Sequence, residues 1–203
     1  MNNIPELRFP EFEGEWKRKK LGDIANGFSY GMNAAAKVFD GENQYLRITD
    51  IDEDSRRYIN DSKVSPSGDV SDNYLLEEGD ILFARTGAST GKTYCYRRSD
   101  GKLYYAGFLI RIKVNNGVDH RFVYYLTLTE YYKKWVQIMS MRSGQPGINA
   151  KEYSIFPIAV PSIYEQTKIA NFLSSIDKKI EKEKENLEGL KEMKKGLMQK
   201  MFV

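Results

Sequence analysis

The sequence contains a single cysteine, Cys95, and a single histidine, His120, among its 203 residues. One cysteine excludes an internal disulfide, and together with one histidine it leaves no ligand set for a zinc ion. No serine or cysteine motif accompanies His120, so a catalytic triad is not indicated either. We therefore expect no metal site and no catalytic residue on this chain. Cys95 lies in a strand-like Tyr-Cys-Tyr pattern, which predicts an inert small hydrophobic residue.

Long hydrophobic runs are also missing, and the N-terminus lacks the basic and then apolar order of a signal peptide. We therefore expect a cytoplasmic protein that has no membrane partner. The hydrophobic content is 41% of the residues. This is enough for one globular core of roughly 150 residues beside a separate helix.

The C-terminal part of the chain repeats apolar side chains in alternating steps of four and three residues. Such a heptad is the pattern of a coiled-coil helix. Ser162 and Glu165 have the spacing of a capping box, so the helix is expected to run from about Ile163 to Met201, with both side chains satisfying backbone donors. The chain is thus divided into a domain, 1–161, and a helix, 162–203. The helix would be roughly 55 to 60 Å long.

Two polar residues, Glu183 and Lys194, interrupt the apolar seam. Two parallel helices in register would place like charges opposite each other at both positions, whereas an antiparallel pair can place Glu183 against Lys194. We therefore predict an antiparallel coiled coil, formed with a second copy of the chain or with a similar helix of a longer parent chain. The alternative is a long amphipathic helix that folds back on its own domain. The predicted pairing residues are Ile176, Ile180, Glu183, Leu187, Leu190, Lys194, Leu197 and Met201.

The domain itself has mixed periodicities that indicate an α+β fold, because a run of strands is followed by helices. The residues 103–114 alternate like one long strand. Asp119 is placed to cap a helix whose apolar face extends from Phe122 to Met139. A short strand at 155–160 would lead into the long helix.

Net charge is only +3, but the charge is unevenly distributed. Acidic residues dominate 40–80, whereas 85–105 and 133–151 are basic, and the first of these basic segments also contains tyrosines. Arginine and tyrosine together are typical of surfaces that contact phosphates and base edges, although a solvated sheet face would have the same composition. The candidate DNA-binding residues are Arg85, Thr86, Ser89, Lys92, Tyr94, Arg97, Arg98, Lys102, Arg142, Ser143, Gln145, Asn149 and Lys151.

The segment 86–93, Thr-Gly-Ala-Ser-Thr-Gly-Lys-Thr, nearly matches a phosphate-binding P-loop. Thr86 occupies the position of the first glycine, however, and the residues after Lys92 are β-branched and aromatic. We therefore predict a turn between two strands, without the helix that would hold the phosphates of a nucleotide. The glycines would instead allow close approach to a DNA backbone.

Several segments in order resemble one half of the specificity subunit of a type I restriction-modification system. The first set of matching residues is 6–12 with Trp16, 20–24, Leu46 and Arg47 with Asp50 and Ile51, and 79–82 leading into 85–89. The second and more specific set is Gly144, Ile148, Asn149, 157–161, Glu165, Gln166, Ile169, Ala170, Leu173, Asp177 and Ile180.

The resemblance implies a target-recognition domain followed by a spacer helix, without catalysis by this chain. The implied partners are double-stranded DNA, modification subunits that bind S-adenosylmethionine and methylate adenine, and a restriction subunit that uses ATP and Mg²⁺. No cofactor is expected on this chain. A self-paired half-subunit would form a homodimer and read an interrupted palindrome. The alternative from a different class is a coiled-coil adaptor whose head binds a ligand other than DNA.

Overall fold

The computed structural model describes residues 4–141 and 146–202. Within these ranges the chain forms ten short strands and four α-helices, in a mixed order that confirms the α+β prediction. The strands are β1 (Lys17–Lys20), β2 (Ala25–Tyr30), β3 (Ala36–Val38), β4 (Gln44–Leu46), β5 (Val64–Pro66), β6 (Ile81–Ala84), β7 (Thr93–Cys95), β8 (Leu103–Tyr105), β9 (Leu109–Val114) and β10 (Pro157–Val160). The helices are α1 (His120–Leu126), α2 (Glu130–Ser140), α3 (Ala150–Ser154) and α4 (Ile163–Met201).

The central sheet has four antiparallel strands in the order β2-β9-β6-β7. All four residues of β6 are buried, so this strand contributes to both faces of the sheet. Ile81 and Phe83 pack in the main core together with side chains of α1, α2 and α3. Leu82 and Ala84 pack on the opposite face, in a second cluster that includes residues of β4 and β8. Both faces of the sheet are therefore covered.

Three two-stranded sheets complete the domain: β3 with β5, β4 with β8, and β1 with β10. The β1–β10 pair is antiparallel and joins the N-terminal part of the chain to the strand that leads into α4. The prediction of one strand over 103–114 was wrong, because 106–108 forms a turn between β8 and β9. The predicted helix after Asp119 is two helices, since Thr129 caps a new helix with its hydroxyl.

Helix α4 has the bounds that the heptad predicted, Ile163–Met201, and its 39 residues span about 58 Å. The Ser162 hydroxyl accepts from the backbone N–H of Glu165, as expected. The other half of the predicted capping box was wrong. The Glu165 carboxylate instead accepts from the guanidinium of Arg8 and the indole N–H of Trp16, so the N-terminal segment is attached to the start of α4.

The helix has two halves with different surroundings. The packed half, 163–181, lies on the domain, with Gln166 and Ala170 fully buried. The projecting half, 182–201, is exposed at every residue except the half-buried Gly196. The helix therefore does not fold back on its own domain along this second half. The division into 1–161 and 162–203 stays a prediction, because the packed half shares the core of the domain.

Candidate nucleic-acid interface

The glycine-rich segment after β6 is a turn that leads into β7, as predicted, and no helix follows it. The turn is hydrogen-bonded to the segment that precedes α3. The Gly87 N–H donates to the Pro146 carbonyl over 3.0 Å, and the Ile148 N–H donates to the Arg85 carbonyl over 3.0 Å. Two basic segments that are about sixty residues apart in the chain therefore meet at one end of the sheet.

Arg85 lies at this junction, with its side chain half-buried. Its Nε donates to the Gly107 carbonyl over 2.9 Å. Its guanidinium carbon lies 5.1 Å from the ring centroid of Tyr30 and 5.9 Å from that of Phe108. Both rings are exposed, Tyr30 by 43% and Phe108 by 59%. We refer to Tyr30, Arg85 and Phe108 as the Arg85 cluster.

Tyr30 and Phe108 were missed by the sequence analysis, and only the neighbouring glycines give a signal for them. A Cβ atom on Gly31 would lie 2.2 Å from the Ala106 carbonyl oxygen. Only glycine therefore allows the end of β2 to lie against the turn at 106–108. The Tyr30 hydroxyl in turn accepts from the Ala150 N–H over 3.2 Å. The two rings are thus placed beside Arg85 by backbone contacts that no local pattern reveals.

A cleft of about 590 Å³ separates the glycine-rich turn from α2. Ser89 and Thr90 line one side of the cleft, and Lys133 of α2 lines the other. Thr86 is half-buried and forms an isolated antiparallel β-bridge with Gly147. The hydroxyl of Thr90 is already used, because it donates to the Gly87 carbonyl over 2.7 Å. Of the predicted hydroxyl residues in the turn, Ser89 and Thr90 therefore line the cleft, and Thr86 does not.

Two predicted DNA-binding residues are instead buried inside the domain. Lys92 is only 7% exposed, and its ammonium group binds the Ile51 carbonyl and the Glu53 carboxylate. Tyr94 is fully buried, and its hydroxyl donates to Asp100 over 2.6 Å. Burial also raises the pKa of Tyr94. Neither side chain faces solvent in this conformation, so we leave both out of the interface.

Three more predicted residues lie away from the turn, at the other end of the β6–β7 hairpin or beyond it. Arg97 lies 3.7 Å from Asp100 and 3.8 Å from Glu181 of the packed half of α4. The exposed Arg98 is held through its backbone N–H by the Glu78 carboxylate. Lys102 pairs with the Glu42 carboxylate over 2.7 Å. The first basic segment is therefore split between two ends of the sheet.

The second basic segment is described in part. Asn149 caps α3, accepting from the Glu152 N–H over 3.0 Å, and Lys151 is exposed on the same short helix. Arg142, Ser143 and Gln145 lie outside the described residues. The exposed strand β1, Lys17–Lys20, adds basic side chains that the sequence analysis did not include. It is followed by a helical turn that packs on α3.

Cys95 keeps some exposed surface, but its thiol is enclosed by protein atoms, and burial raises its pKa to about 12. A thiol with this pKa is a poor nucleophile at neutral pH. No cluster of possible metal ligands occurs within 4–141 and 146–202. The same ranges contain no helix with the length and apolar character needed to span a membrane.

Two of the predicted pairing residues, Ile176 and Ile180, lie at the end of the packed half of α4, and the other six lie in the projecting half. Ile169 still packs against the core of the domain. From Ile176 onward the seam residues are exposed, and Leu187 and Leu190 have 52% and 63% of their surface accessible. The apolar seam therefore continues beyond the point at which the domain can cover it.

The family model of the type I restriction modification DNA specificity domain matches residues 13–192. The chain belongs to this family. Two curated specificity subunits of this type from Methanocaldococcus jannaschii are similar to it along nearly its whole length. The putative type I restriction enzyme MjaX specificity subunit is 26% identical, over 98% of this chain and 48% of that protein. The MjaVIII specificity subunit is 25% identical, over 97% of this chain and 43% of that protein.

The specificity-domain chain thus spans about half the length of the curated relatives that it matches. Solved structures share its fold. A chain from a study of complex assembly and conformational transition in the type I R-M system has a TM-score of 0.62 at 16% identity, over 91% of this chain and 43% of that chain. The HsdS subunit from Thermoanaerobacter tengcongensis has a TM-score of 0.58 at 16% identity, over 88% of this chain and 41% of that chain.

Proposed function

We propose that this chain reads one half of a bipartite DNA target for a type I restriction-modification complex and has no catalytic step of its own. Its domain contacts duplex DNA, and its long helix sets the distance to a second reader. The modification subunits, with S-adenosylmethionine, and the restriction subunit, with ATP and Mg²⁺, supply the chemistry. A homodimer forms where no second reader is present in the same polypeptide.

The observation that carries this proposal is the projecting half of α4. It extends for about 30 Å at 1.5 Å per residue, and large apolar side chains recur along it in the heptad phase. Exposed apolar surface of this kind marks an interaction site. A counterpart helix would cover it, and a single-domain ligand-binding protein has no need of such a helix.

An antiparallel counterpart satisfies the exposed seam in one register. With Glu183 opposite Lys194, Leu187 faces Leu190 and Ile180 faces Leu197. Every apolar seam residue then meets an apolar partner, and the two charges neutralise each other. The same arrangement directs the two domains to opposite ends of the paired helices, as two separated DNA half-sites require.

The interface on the domain supports DNA as the ligand. Arg85, Ser89 and Lys151 are available at one end of the sheet, and the exposed β1 strand adds positive charge. Phosphate contacts by such groups would position the domain, and base contacts would give the specificity. Binding of this kind weakens steeply as salt concentration rises.

The test is methylation of a plasmid by this chain together with its modification subunit, followed by sequencing of the modified adenines. We expect modification at a site with two specific parts separated by an unread spacer. The modification subunit alone is the control and should leave the plasmid unmodified. Absence of any sequence-specific modification, together with no salt-dependent binding to duplex DNA, would favour the adaptor alternative.

A further inference from the structure

We infer that Arg85 reads a guanine base in the major groove, and that Tyr30 and Phe108 hold it in the orientation for this contact. The inference rests on the proposed function and names the chemistry of one contact within it. The ligand is the pair of acceptors on the guanine edge, O6 and N7. These acceptors match the two parallel donors of an arginine fork.

The guanidinium group of Arg85 is held at one of its three nitrogens. Its Nε is used by the Gly107 carbonyl, which fixes the direction of the side chain. Within 4–141 and 146–202, the side chain of Arg85 hydrogen-bonds through Nε alone, and its two terminal nitrogens have no such partner there. The group therefore presents two oriented donors that remain available for a ligand.

The backbone of Arg85 and the ring of Tyr30 are both fixed by hydrogen bonds. The Arg85 N–H donates to the Phe108 carbonyl over 3.1 Å, and the Arg85 carbonyl accepts from Ile148. The Tyr30 ring is held by its hydroxyl and by the obligatory glycine that follows it. An arginine fixed in this way loses little conformational freedom when it forms two hydrogen bonds. A phosphate can also accept from such a fork, so the surrounding surface distinguishes the two ligands.

The surface around Arg85 is aromatic. Tyr30 and Phe108 are exposed aromatic rings, and Phe108 has no polar atom in its side chain. Such rings suit apolar contact with base edges and thymine methyl groups. They are poor neighbours for a hydrated phosphate. By contrast, Lys151 and the β1 strand are exposed and basic, so they suit the phosphates.

The decisive variant is Arg85→Lys, because it keeps the charge and loses the fork. We expect discrimination at one base pair of the target to fall by about 10-fold or more. The other positions and the salt dependence should stay as they are. The readout is the sequence profile recovered from randomised duplexes by the complex of this chain with its modification subunit.

Phe108→Ala tests whether the Phe108 ring supports Arg85, which makes the base contact itself. It leaves Arg85 in place but removes one of its two rings, so the same base pair should lose discrimination to a smaller extent. The thermal midpoint of each variant checks that the domain is folded. Arg85→Ala should abolish the preference at that position and change the salt slope little.

A phosphate contact gives a different pattern. Arg85→Lys would then leave the sequence profile unchanged, and Arg85→Ala would weaken all sequences equally and reduce the salt slope by about one. This result would overturn the inference while leaving the proposed function intact. If the complex that contains the unsubstituted chain selects no DNA sequence at all, both the proposed function and the inference fail.

Discussion

The packed half and the projecting half of α4 share one heptad phase but differ in what covers them. In the packed half, the Gln166 side chain accepts from the Asp119 N–H and donates to the Pro161 carbonyl. Asp177 accepts from the Tyr125 hydroxyl over 2.7 Å. In the projecting half, leucines and methionines of the same seam are exposed. One half is satisfied by its own domain, and the other half leaves its apolar seam exposed.

This difference shows that an apolar period and the burial of its residues are separate properties. The steps of four and three residues state which side chains share a face of the helix. They do not state whether the domain or a second helix covers that face. The change from one to the other occurs near Ile176, where the seam residues become exposed. Variants in the two halves should therefore affect different measurements.

The largest expected effect is on association, from Leu187→Glu in the projecting half. Each of two paired helices would lose a buried leucine, which contributes roughly 1.5 to 3 kcal/mol. The dissociation constant should rise at least about 100-fold. Sedimentation equilibrium measures this change, and the thermal midpoint of the domain should move little.

The matched control is Gln199→Glu, which adds the same charge on the opposite face of the same half. It should leave association nearly unchanged. If both variants self-associate as strongly as the unsubstituted chain does, pairing through this seam is contradicted.

The second effect, on stability, comes from Gln166→Ala in the packed half. Gln166 is 1% exposed, so its removal leaves the Asp119 N–H and the Pro161 carbonyl without their partner. We expect a loss of about 2 kcal/mol in the free energy of unfolding. Denaturant titration measures it. Gln199→Ala, the same substitution in the projecting half, should change the free energy of unfolding by less than about 0.5 kcal/mol. Similar losses in both variants would remove the distinction between the two halves.

A smaller effect tests the antiparallel register. Glu183→Lys and Lys194→Glu should each weaken association by roughly 10-fold, because each creates a like-charge contact with the counterpart. The double exchange should restore most of the affinity. A double variant that remains as weak as the two single variants would exclude this register.

The smallest effect concerns pH and should be confined to the domain. Burial lowers the pKa of His120, while the charges of Asp119 and Glu78 oppose this shift and Arg121 adds to it. The unfolded chain therefore binds a proton at a higher pH than the folded chain. Stability is fully present above pH 6.5 and decreases as the pH falls through this value. His120→Gln should reduce this slope in denaturant titrations, whereas a slope that is unchanged would exclude His120 as its source.

The elements that the sequence predicted well are those with a local cause. The bounds of α4 follow from a capping serine and a long period, and the turn between β6 and β7 follows from its glycines. The break at 106–108 was missed, because the alternation from Phe108 to Val114 was extended back to Leu103. The turn there depends on the close approach of Gly31. The predicted capping role of the Glu165 carboxylate was wrong for the same reason, since its partner Arg8 lies far away in the chain.

The candidate site was also predicted only in part. Arg85 and Asn149 were placed in two separate segments, and the structure brings those segments together. Tyr30 and Phe108 gave no composition signal as partners of Arg85. Lys92 was predicted as a contact because its charge suits DNA, but a buried carbonyl and a carboxylate bind its ammonium group.

The amino-acid sequence by itself determined the long helix, its apolar seam and the strand-rich class of the domain, because periodicity and capping act between residues that are close in the chain. Only the tertiary structure decided which half of the seam is covered, which cations are buried, and that Tyr30 and Phe108 flank Arg85. These features depend on contacts between distant segments, and their geometry is set by the packing of the whole core.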